Sequence, residues 1–160
     1  MKYFKTILLI VILFFIQIAI VPNISIKGAF PNILLVAMII LILNFDFADA
    51  LVWAVAGGVL LDLYSPIYFG VYTLSFLVIF AINYFILNKF ISNPIFPIVF
   101  FSFFIGYLLV ELVPFLILTR SWPIYLLSAT YTAILGTICY YLSQDKFHKT
   151  ESSYKLSERL

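Results

Sequence analysis

The side chains able to do chemistry are few. Four carboxylates, Asp46, Asp49, Asp62 and Glu111, stand in otherwise apolar sequence. Two such groups brought together could share one proton, as in aspartyl peptidases. None of these Asp residues sits in the Asn- and Gly-containing motifs that such membrane peptidases carry, and Asp46 and Asp49 lie at the opposite end of an apolar run from Asp62. Zinc needs three or four ligands at workable spacing. One histidine, His148, in a polar stretch and one cysteine, Cys139, in an apolar one do not supply them. A Ser-His-Asp arrangement would have to recruit the same His148. No Gly-rich loop opens a helix to hold phosphate. The residues therefore point to a non-enzymatic protein with no metal and no cofactor, and a single cysteine makes no internal disulfide.

The elements that must position these residues are apolar. Of 160 residues, 65% are hydrophobic and 10% are charged. Soluble domains hold about 45–50% and about 25%. A soluble domain of this size could not bury that much apolar surface, so an aqueous enzyme, a disordered tail and a disulfide scaffold fit poorly. The net charge of +2 is too small to imply nucleic acid as a partner. The composition predicts an all-α integral membrane protein. Seven of the sixteen charges fall within residues 145–160. We therefore expect a transmembrane domain over 1–144 and a short cytoplasmic tail over 145–160.

A bilayer core needs about 20 apolar residues per helix, and the runs are continuous rather than alternating. Six helices are expected: Thr6 to Val21, Asn32 to Phe47, Ala48 to Tyr64, Gly70 to Leu87, Pro97 to Leu118 and Ile124 to Leu142. Pro31, Pro97 and Pro123 mark helix starts. The second span is short, and Asn44, Asp46 and Asp49 crowd the turn after it, so helices two and three should form a tight hairpin. With both termini cytoplasmic, the inner segments carry Lys2, Lys5, Lys89, Lys146, Lys149, Lys155 and Arg159, and the outer loops only Lys27 and Arg120. The first apolar run ends in QIAIVPNIS, a poor cleavage site, and is read as a retained helix.

Ala50, Ala54, Gly58 and Asp62 recur at spacing four and share one helix face, which Gly57 widens. Small faces let helices approach closely. The strip has two possible uses. It could pack within the chain, with Asp62 capping a neighbouring helix. Alternatively it could receive a partner's helix, with Asp62 fixing the register. Glu111 and Asn83 are buried polar groups, and Glu111 could bond a tyrosine or Asn83 within the bundle or face a partner or a polar cavity. Ala129, Ala133 and Gly136 form a second small strip, expected to pack inside the bundle.

The stretch PNILLVAMI from Pro31 and the stretch AGGVLLDLYSPIYFG from Ala56 to Gly70 resemble the bacterial rod shape-determining MreD family. Pro31 and Asn32 match its Pro-Asn/Asp before a Leu-rich helix. Gly58, Asp62 and Leu63 match its Gly-x-x-x-Asp-Leu segment, and Ser65, Pro66 and Gly70 its following turn. The resemblance covers most of the chain in layout and about forty residues in motif. It implies a non-enzymatic scaffold of the plasma-membrane machinery for cell shape and lateral wall elongation. The implied partners are a single-span MreC-like protein and, indirectly, an MreB-like filament, a RodA-like glycan polymerase and a transpeptidase, within membrane lipids. It also implies a fold similar to the substrate-binding subunits of energy-coupling factor transporters. That similarity opens the alternative of a vitamin-type transport subunit. Those subunits often carry Ala-x-x-x-Ala in the first helix, whereas here the motif lies in the third.

Overall fold

The computed structural model describes residues 2–65, 69–90, 94–112, 114 and 121–157, with the backbone alone at 2, 3, 88, 90 and 145–157. Among them are six α-helices and no β-strand: α1 (Lys2–Ala19), α2 (Ile33–Leu43), α3 (Phe47–Tyr64), α4 (Val71–Phe90), α5 (Phe96–Val110) and α6 (Trp122–Ser157). A 3-10 turn, Val21–Ile24, follows α1 and holds Pro22 in its first positions.

The core forms around α2. Seven of its eleven residues are buried, and it packs against all five other helices. A helix that is apolar on every side needs such enclosure. At 1.5 Å per residue it is about 16 Å long, roughly half of a bilayer core. The expected segment from Asn32 to Phe47 is thus shorter, and the reason is local. Phe45 takes φ +61, the Asp46 N–H reaches back to the Leu41 carbonyl at 2.9 Å and the Phe45 N–H to the Ile42 carbonyl at 3.0 Å. These bonds form a Schellman turn that caps the last carbonyls of α2. Three residues then separate α2 from α3, the tight hairpin that the polar turn predicts.

The other helix ends also have causes. The expected fifth segment reaches Leu118, but α5 stops at Val110, and Glu111 caps it through its N–H to the Tyr107 carbonyl at 3.0 Å. Pro114 has no N–H for the Val110 carbonyl. Residues 115–120 lie outside the described part. At the other end of the chain, α6 crosses the expected boundary at 144 without a break, since no proline or glycine follows Gly136.

Among the described residues, two helical segments, Phe47–Tyr64 and Trp122–Gln144, are long and apolar enough to cross a membrane, and the other four apolar segments are shorter. Large apolar side chains nonetheless face outward all round. Phe4, Phe15, Leu74, Phe101 and Leu142 are each more than half exposed, while Trp53, Tyr125 and Tyr140 lie in the core.

Candidate functional site

The polar residues inside the bundle are best followed from Asp62. Helix α4 begins after Gly70, whose φ of +88 suits glycine and which has no side chain to cap the helix. Asp62, on the last turn of α3, supplies the missing cap. Its Oδ1 accepts the Tyr72 N–H at 2.9 Å and its Oδ2 the Thr73 N–H at 3.0 Å. The Thr73 hydroxyl donates to the same Oδ2. These are N–H groups that a helix start leaves without intrahelical partners, and a carboxylate there is favoured by the helix dipole.

The C-terminal part of the small strip of α3, Gly57 to Asp62, is the seat of α4. A Cβ on Gly58 would stand 2.5 Å from the Thr73 Cα, and one on Gly57 would touch the Phe76 ring at 3.6 Å. Ala50 and Ala54 are wholly buried. Of the residues of this strip, Gly57, Gly58 and Asp62 meet α4, and Ala50 and Ala54 are covered within the chain. The second strip behaves alike: Ala129 and Ala133 are buried, and Gly136 abuts the Phe103 ring of α5.

A second polar knot closes the start of α2. Asn32 Oδ1 accepts the Leu35 N–H at 3.0 Å, the standard N-cap bond. From α1, Gln17 Oε1 accepts the Ile33 N–H at 2.7 Å and its Nε2 donates to the Pro31 carbonyl at 3.1 Å. From α6, the Thr132 hydroxyl accepts the Asn32 N–H at 3.3 Å and donates to the Ser128 carbonyl at 2.9 Å. Three helices thus meet at the Pro31-Asn32 motif. Sequence reading singles out Asn32 but not Gln17, Thr132 or Thr73. For Gln17 a signal exists, since it is the one amide in the first apolar run.

Beside this knot lies a cavity of about 280 Å³ that Gln17, Asn32, Tyr64, Tyr72 and Glu111 line together with apolar walls from Phe30 and Leu61. It brings the α2 start, the α3 end, the α4 start and the α5 end to one place. Glu111 acts electrostatically on the Tyr125 phenol, which donates to the Leu108 carbonyl in the last turn of α5. Of the motif residues, Pro31 is buried. Leu63 is exposed, Ser65 is the C-cap of α3 with its N–H on the Leu61 carbonyl, and Pro66 lies outside the described residues.

Asn83 is elsewhere. It lines an apolar groove of about 270 Å³ between α4 and α5, and its Nδ2 donates to the Ile79 carbonyl at 2.9 Å. Asn83 and Glu111 thus line separate cavities, and the Asn83 amide bonds within its own helix. Asp49 is buried in the first turn of α3, about 20 Å along the axis from Asp62, so these two carboxylates do not form a proton-sharing pair. Among the described residues, no group of three His, Cys, Asp or Glu side chains could hold a metal.

Comparison with known protein families, with curated proteins and with solved structures finds no match.

Proposed function

We propose that the chain is a multi-pass protein of the bacterial plasma membrane, with both termini cytoplasmic, and a non-enzymatic scaffold of the wall-elongation machinery. Its immediate partner is the transmembrane helix of a single-span, MreC-like protein. Through that partner it couples an MreB-like filament to a RodA-like polymerase and a transpeptidase. The sequence resemblance to the MreD family and the bias of Lys and Arg between loops support this reading. So does the apolar exterior, which suits lipid better than water.

The observation that carries it is the α4–α5 groove. Ile79, Asn83 and Ile86 follow one face of α4, opposite Ile98, Phe101 and Ile105 of α5, and Gly106 gives depth. The groove runs along the helix axes and is apolar except for Asn83 and Ser102. A lipid tail cannot hydrogen-bond these groups, whereas another helix can. It is here, rather than on the α3 strip, that the partner's helix seats.

The test is a mild-detergent pull-down of the tagged chain from its native membrane, with mass-spectrometric identification. The expected catch is a single-span coiled-coil protein with wall synthases. A groove-filling Ser102→Phe variant should recover about tenfold less of it while remaining in the membrane. Recovery of paired ATPases with a large coupling subunit would overturn the scaffold in favour of a transport subunit.

A further inference from the structure

The polar groups of the α4–α5 groove define what enters it. Asn83 is 8% exposed. Its side chain carries an acceptor oxygen and an NH2 donor. Among the described residues it makes one hydrogen bond, from Nδ2 to the Ile79 carbonyl of its own helix. Its Oδ1 accepts none there and is not one of the sealed polar atoms, so that oxygen opens on the groove that Asn83 lines. The Ser102 side chain, in the facing wall, makes no hydrogen bond among the described residues. The two groups stand at one level. Helices joined by so short a connection, 91–95, run antiparallel. A Cβ on Gly106 would lie 3.7 Å from the Ile79 Cγ2, which pairs those two positions across the seam. One turn further along α4 and one turn back along α5, each about 6 Å from that contact, come Asn83 and Ser102.

We propose that the helix seated in this groove carries a side-chain amide, Asn or Gln, whose NH2 donates to Asn83 Oδ1 and whose carbonyl accepts from the Ser102 hydroxyl. This rests on the reading of the groove as a partner's seat, and it names the residue by which the seat recognises its helix. An amide brings donor and acceptor together and has no charge to desolvate. A hydroxyl has one proton to give, and a carboxylate has none. A lipid carries its hydrogen-bonding groups at the interface, whereas Asn83 lies about 9 Å along α4 from Lys89. The outward ridge of α3, Leu51, Val55, Val59 and Leu63, is aliphatic, so a second copy of this chain laying that ridge in the groove would leave Asn83 unanswered.

Quantitative co-purification of the full chain from its native membrane separates the seat from its polar contact. Ser102→Phe fills the groove, whereas Asn83→Leu and Ser102→Ala nearly keep its shape and remove the hydrogen-bonding groups. Each polar variant should recover about fivefold less of the single-span protein at an unchanged level in the membrane. The span of the recovered protein should hold an Asn or Gln. Replacing that amide by Leu should cost the same factor against the parent chain and nothing further against Asn83→Leu, as for two sides of one contact. Loss with Ser102→Phe but full recovery with both polar variants would overturn the amide contact and leave the seat standing. So would a captured span without an amide, or losses that simply multiply in the double variant. Full recovery with Ser102→Phe as well would remove the seat and the contact with it. Retention of a second copy of this chain instead of a single-span protein would also overturn the contact.

Discussion

Gly58 and Thr73 bring the backbones of α3 and α4 into direct contact. A methyl group on Gly58 would lie 2.5 Å from the Thr73 Cα and 2.9 Å from its nitrogen. Because that neighbour is backbone, it cannot swing aside. Gly58→Ala should push the start of α4 away from the C-terminal half of α3 and cost about 1–3 kcal/mol, read as a lower unfolding temperature in detergent. An unchanged temperature would mean that the two helices can part freely.

The separation would also strain the Asp62 cap, which the same seam holds. Asp62→Ala leaves the half-buried Tyr72 and Thr73 N–H groups without their acceptor, at up to about 1–3 kcal/mol for each. Asp62→Asn is not a conservative change here. Both carboxylate oxygens accept, and an amide offers one acceptor and one donor, so one N–H would face an NH2 group. Both variants should therefore be less stable than the parent, with Asn losing less than Ala. Equal stability of Asn and parent would contradict the two-oxygen cap.

At the α5–α6 seam the tight contact is a side chain. A Cβ on Gly136 would meet the Phe103 ring at 2.6 Å, and Phe103 is fully buried. Gly136→Ala should destabilise by about 1–3 kcal/mol. Phe103→Leu, which trims the ring, should recover part of that loss when combined with it, since neighbouring sites are not additive. Simple addition of the two losses would place the clash elsewhere.

Phe45 holds the left-handed position of the α2–α3 turn, where glycine is usual. That conformation costs an L-residue about 1–2 kcal/mol. Its ring packs edge-on to Phe47 at 5.8 Å but is 43% exposed. Phe45→Gly should therefore raise the unfolding temperature. A fall would mean that the aromatic contact outweighs the strained backbone.

How far the fold is legible depends on what ends each helix. The third helix is readable at both ends, because the polar Asn44–Asp46 turn precedes it and Ser65-Pro66 follows. The second is misread at its end because Phe45 and Phe47 alternate with Asn44 and Asp46 and leave the apolar run without a sharp edge, while backbone bonds at Phe45 and Asp46 stop it at Leu43. Spacing alone puts Ala50, Ala54, Gly58 and Asp62 on one face, but it does not say which helix lies against that face. Asp62 finds its partners ten and eleven residues on, whereas the Asn32 N–H finds Thr132 one hundred residues away. A contact of that separation leaves no local pattern. The cavity shares this limit, since its walls come from five stretches of chain.

The scaffold account rests on a partner helix lying between α4 and α5, and photo-crosslinking in living cells tests this most directly. A photoreactive phenylalanine analogue at Phe101, in the groove and 55% exposed, is compared with the same analogue at Ile134, which is similarly exposed on α6. The account predicts a covalent adduct with one single-span protein from position 101 and none from position 134. Adducts with that protein from 134 alone, or with lipid alone from 101, would contradict it.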